Sequence, residues 1–277
     1  MVLRSPAGDV FTRNVTQKEV PTVLADGFFS RLGLEQTFRW LHILSGIVWI
    51  GMLYFFNLVQ VPAYAAFGDE AKARNIALDK VTRRALWWFR WGAVSTVVMG
   101  ITITIAEKDF FKPSNGVSFG KTGGGLAISL GMLVAIIMFL NVWGVIWRNQ
   151  KVLLANAANL LAGGEANPGA AAAGRKALMA SRTNVIFSVG MLYLMVVSSH
   201  DVYLGNPISS GKVGAFWAIS IIVIAVLELN ALGFMPWKAE VNKGLNKLYD
   251  GGVRNVLIGA AGFWVVVLVV CELFLKK

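Results

Sequence analysis

Six blocks of about 20 mostly apolar residues, each bounded by charged residues, constrain this chain more than any other feature. They lie near 36–61, 85–107, 126–148, 183–204, 213–235 and 253–275. A hydrocarbon layer of roughly 30 Å takes about 20 helical residues to cross, and inside it every backbone N–H and C=O must find a partner within the protein. The blocks therefore predict an all-α fold, a polytopic transmembrane helix bundle with six spans. Residues 1–35 form a polar N-terminal arm, and 36–277 a single transmembrane helical domain. A large soluble core does not need apolar runs this long. It would also carry roughly 25% charged residues, whereas this chain has 15%.

The net charge of +11 first suggests nucleic acid. Its distribution argues otherwise, because the Lys and Arg residues lie mainly between apolar blocks, where membrane loops meet anionic headgroups. No basic stretch is interleaved with aromatics in a soluble module. The loops after spans one, three and five are rich in cations: Lys72 to Arg84, Arg148 to Arg182, and Lys238 to Arg254. The alternate loops are poorer, so the positive-inside rule predicts cytoplasmic cationic loops and both termini outside. Trp40, Trp87, Trp88, Trp91, Trp147, Tyr203 and Trp237 sit at span ends as interface anchors.

The loop after span three predicts a helical hairpin projecting beyond the bilayer. A helical pattern continues over 148–161, Gly163-Gly164 and Asn167-Pro168-Gly169 break it, and the Ala-rich run 170–182 resumes it. The arm lacks the apolar stretch of a signal peptide. Phe28, Phe29 and Leu32 fit one face of a short interfacial helix, and the residues before them read as an extended segment that would dock on another chain.

Ionisable residues inside spans are expensive and point to function by default. His42 lies about two turns into span one, and His200 about one turn from the end of span four. These spans run in opposite directions, so the two imidazoles share one membrane face, where they could ligate a haem iron axially. Ser45, Gly46 and Trp49 follow His42 on its helical face. Small residues there admit a flat macrocycle, or equally the close approach of a second helix. Glu228, in span five, reads as a proton relay or quinone contact, or as a protonated packing residue. Asn141 in span three reads as interhelical glue, and Glu272 as interfacial. With one cysteine and two histidines, a protein-only zinc site of the usual kind is nearly excluded.

Several of these residues stand in longer motifs. Arg39-Trp40-Leu41-His42, followed by Gly46, Trp49-Ile50-Gly51 and Tyr54-Phe55, resembles the first span of the membrane domain of bacterial cytochrome-c-linked urate hydroxylases. The run from Asn141 to Lys151, and Ser181-Arg182-Thr183-Asn184 leading to Ser198-Ser199-His200, are similar to later segments of that family. The resemblance covers roughly 36–204. It implies a bacterial inner-membrane protein with haem b held by His42 and His200, Arg39 near a propionate, and Gly46 and Trp49 beside the ring. The family carries a C-terminal cytochrome c module that is not read in this chain, so a separate cytochrome c is the implied electron partner.

Two functions follow as expectations. In the first, the chain is a membrane-embedded redox protein that passes electrons through haem b to a cytochrome c. In the second, it is a non-catalytic accessory subunit of a larger bacterial membrane complex (respiratory, photosynthetic or oxygenase), the old redox fold serving as packing material. A transporter is disfavoured by the lack of paired broken helices.

Overall fold

The computed structural model describes residues 27–106, 110–113, 116–198, 200, 203, 207–235 and 241–276. Six helices in it are long and apolar enough to cross a membrane: α1 (Arg31–Ala65), α2 (Ala71–Ala106), α3 (Gly123–Leu161), α4 (Ala170–Val197), α5 (Ser210–Leu232) and α6 (Val253–Phe274). They form an all-α bundle of the multi-pass membrane type. Trp40, Trp87 and Trp88 are exposed, as interface anchors should be.

Local chemistry sets the helix ends. Ser30 and Thr122 cap α1 and α3, each hydroxyl accepting a hydrogen bond from the amide three residues on, at 3.0 Å. Gly233 ends α5 at φ 79°, a left-handed conformation that costs glycine little, and the Phe234 amide then bonds back to the Leu229 carbonyl.

The helix boundaries differ from the expected spans in an instructive way. α1 to α3 are 35, 36 and 39 residues long, against 23 and 22 for α5 and α6. At 1.5 Å per residue the first three reach about 52–58 Å, well beyond the roughly 30 Å of hydrocarbon. The excess of α1 to α3, together with the first turns of α4, stands at one end of the bundle. The helical hairpin of α3 and α4 is present as expected, and Asn156 and Asn159 clamp its turn through the Asn167 amide and the Glu165 carbonyl. The charges of the α1–α2 extension predict a loop, and the segment is helical instead. Those charges lie on an exposed helical surface, where Arg83 bonds Asp79 one turn away.

At the other end, α1 begins at Arg31, so the helix takes in the last five residues assigned to the arm. Phe28 and Phe29 lie in the turn before it, exposed and stacked edge to face, rather than in a helix of their own. Residues 1–26 of the arm, and its docking on another chain, lie outside the described residues.

Helix α4 is the axis of the bundle. Its apolar window is 72% buried, against 28% for α1, and it packs on α1, α3, α5 and α6. Small residues permit this: a side chain at Gly190 would collide with the Phe263 ring of α6, its Cβ lying 2.8 Å from the ring carbons. Three stretches widen into π-helix, Phe55–Gln60 in α1, Leu78–Thr82 in α2 and Asn141–Ile146 in α3. Such bulges often mark functional positions.

Candidate functional site

His42 lies on the face of α1 that meets α2. Its Nδ1 is 2.8 Å from the Thr96 carbonyl oxygen. A carbonyl only accepts, so Nδ1 carries the proton and Nε2 keeps its lone pair. The ring rests on Gly100, whose Cβ, if present, would lie 3.1 Å from the imidazole Cε1. Among the described residues, the His42 imidazole makes no hydrogen bond other than that to Thr96.

Gly46 and Trp49 share that face and are spent on helix packing. Gly46 faces the Thr96 methyl, and Trp49 is 1% exposed, its backbone 3.1 Å from where a Gly92 Cβ would stand. At Gly46 the small residue therefore sits where α1 approaches α2. Arg39 is half-buried, one turn before His42.

His200 falls beyond the end of α4. The helix stops at Val197 rather than running to 204, and the His200 Nδ1 bonds the Val196 carbonyl at 2.8 Å. Tyr54 and Ser188 share a hydrogen bond at 2.9 Å between the antiparallel α1 and α4. His42 lies twelve residues before Tyr54 and His200 twelve after Ser188, so both histidines sit at the same end of the bundle.

A second polar cluster crosses the interior. Asn141 Nδ2 donates to Glu228 Oε2 and to Asn184 Oδ1, each at 3.0 Å, and Asn184 Nδ2 donates to the Met138 carbonyl at 2.9 Å. Asn141 thus joins α3 to α4 and α5, the interhelical role expected of it. The buried Arg182 guanidinium donates to the Tyr249 carbonyl, and Arg175 pairs with Asp250 at 2.8 Å. Tyr249, in the turn between α5 and α6, donates its hydroxyl to Leu227. Burial, and then the neighbouring Glu228 carboxylate, push its phenol well above the usual range.

Sequence reasoning missed two of these groups. Arg182 was counted as a loop cation, although it opens a polar triplet, Arg182-Thr183-Asn184, that is buried throughout. Arg90 lies inside span two with its guanidinium 3.3 Å from the Trp147 ring centroid. Its neighbours Trp87, Trp88 and Trp91 were the available signal.

Comparison with protein-family models, curated proteins and solved structures gives no match to this chain. The class that the fold defines is a six-helix, multi-pass membrane bundle, and any finer statement rests on its own residues.

Proposed function

We propose that the chain is a membrane-embedded redox protein that binds haem b, like the urate hydroxylase membrane domain it resembles. The observation that carries this reading is the pose of His42. A metal-ligating histidine commonly donates its second ring N–H to a backbone carbonyl, which fixes the tautomer and orients the lone pair. His42 has that arrangement through Thr96. His200, its Nδ1 likewise held by a carbonyl at the same end of the bundle, would be the opposite ligand. Arg39 would pair with a propionate, because a guanidinium matches carboxylate geometry.

The fit is partial: Gly46 and Trp49 pack on α2 and would support the helix pair rather than line the macrocycle. When bound, haem b supplies a one-electron couple. The chain's own part is to hold the two imidazoles, neutralise a propionate and exclude water with apolar helix faces. A separate cytochrome c would exchange electrons with it at that end of the bundle.

A reduced-minus-oxidised absorption spectrum of the purified native protein tests this. A haem b band that disappears in His42→Ala is expected. A flat spectrum would sink the reading and leave the non-catalytic accessory subunit.

A further inference from the structure

Arg90 stands where the uncharged stretches of two helices end. α2 carries no charged residue from Trp91 to Ala106, and α3 carries none from Gly123 to Trp147. Trp147, the ring that Arg90 touches, is followed directly by Arg148. The two arginines therefore mark, on neighbouring helices, the level at which hydrocarbon gives way to lipid phosphates. The exposed indoles of Trp87, Trp88 and Trp91 surround Arg90 in the chain, as an interfacial belt does.

The guanidinium is held in the seam between α2 and α3. It lies 3.3 Å from the Trp147 ring centroid, with the Trp143 ring at 5.5 Å. Trp143 belongs to the π-helical stretch of α3 and Trp147 follows it directly, an irregularity of the kind found at functional positions. Arg90 Nε donates to the Leu86 carbonyl at 3.1 Å, which fixes the plane of the fork and occupies one of its donors. The two Nη atoms make no hydrogen bond and no ion pair among the described residues, and neither is sealed inside the protein as Arg182 Nε is. Lys151 Nζ stands 5.8 Å from the same Trp147 ring. Two cations thus share one indole, and no acid lies on α2 from Lys80 to Ala106 or anywhere on α3 to neutralise them.

We infer that this seam binds an anionic phospholipid, its phosphate held by the Nη donors of Arg90 and by Lys151. Stacking occupies the face of the guanidinium and leaves its edge, where the N–H bonds point, for two phosphate oxygens. The acyl chains would run along the uncharged flank of the two helices. That flank is open on α3: Gly144, one turn before Trp147, is exposed, and a Cβ there would meet nothing within 4 Å. Unneutralised positive charge between spans favours a net-negative headgroup over a zwitterionic one, whose own cation would be set against Lys151. The position at the edge of hydrocarbon favours a lipid over a free phosphate, which would have to leave water to reach it. The inference uses neither histidine and stands apart from the haem reading.

The test is native mass spectrometry of the full chain in detergent, titrated with dioleoylphosphatidylglycerol or with dioleoylphosphatidylcholine, which carries the same acyl chains. Phosphatidylglycerol should bind about tenfold more tightly, the scale of one charge-assisted hydrogen bond. Arg90→Gln should remove that preference with unchanged circular dichroism. Lys151→Gln, at an exposed position, should weaken it about fivefold. Arg84→Gln, which removes an equal charge from another face of α2, should leave it in place. Equal affinity for the two lipids would overturn the proposal. So would a preference kept in folded Arg90→Gln, or, should that variant misfold, one kept in full in Lys151→Gln. Loss in Arg84→Gln as large as in Arg90→Gln would reduce the effect to general surface charge and overturn it too. Displacement of the lipid by millimolar inorganic phosphate would assign the site to a soluble anion. A photocrosslinker at Gly144 that captured a protein chain instead of lipid in native membranes would assign it to a protein interface. Either result ends the lipid assignment.

Discussion

Nδ1 of His42 stands 2.8 Å from the Thr96 carbonyl oxygen, a bond between α1 and α2 made possible because Gly100 has no side chain to displace the ring. Gly100→Val should push the imidazole off Thr96 while both helices stay formed. The expected result is a fall in haem bound per protein, read by pyridine haemochrome assay, with helical circular dichroism unchanged. Full haem content in Gly100→Val would separate the cofactor from His42.

Asn141 joins three helices through one side-chain nitrogen shared between Glu228 and Asn184. Hydrogen bonds between membrane helices measured by double-mutant cycles average about 0.6 kcal/mol and reach about 1.7 kcal/mol. A cycle on Asn141→Leu and Glu228→Gln, followed by reversible unfolding in mixed micelles, should give a coupling in that range. Additive effects would show that the pair contributes nothing beyond its separate parts.

Gly190 and Phe263 are matched in shape across α4 and α6. Gly190→Ala forces its new methyl against the ring and should cost about 1–3 kcal/mol, the usual scale of overpacking. Phe263→Leu in the same chain should recover part of that loss. If the double variant melts no higher than Gly190→Ala alone, the clash lies elsewhere.

The turns after α1 and α3 lie at one end of the bundle, and the start of α1 lies at the other. The native Cys271 is buried and should resist labelling. Single cysteines at Asp69 and Glu165 should therefore react with an impermeant maleimide from one side of the membrane, and cysteines at Phe29 and Ser118 from the opposite side. Loop charge predicts that the first pair faces the cytoplasm. Labelling of Asp69→Cys and Glu165→Cys from different sides would break the six-span arrangement itself.

Fold class was legible because spans are written in local composition: six apolar runs gave six helices, and the break at Gly163-Gly164 gave the α3–α4 hairpin. What sequence could not show was which face of a helix meets which neighbour. Ser45, Gly46 and Trp49 followed His42 at helical spacing, but only packing reveals that Gly46 and Trp49 meet α2. Arg182 was hidden for a related reason. A cation at the edge of a block reads as solvated until a distant carbonyl, that of Tyr249, folds over it. The seat of Arg90 was invisible too, since the indoles that flank its guanidinium, Trp143 and Trp147, belong to another helix.

The unequal helix lengths give the molecule a projecting profile at one end. At that end the arms of α1 to α3 stand as a turret whose height, from helix rise less membrane thickness, is about 22–28 Å. A second membrane or a flat protein array would be held off on this side by the turret. Where such membranes stack, the protein would act as a spacer on this surface, and anything docking from that side would meet helix flanks before it met lipid.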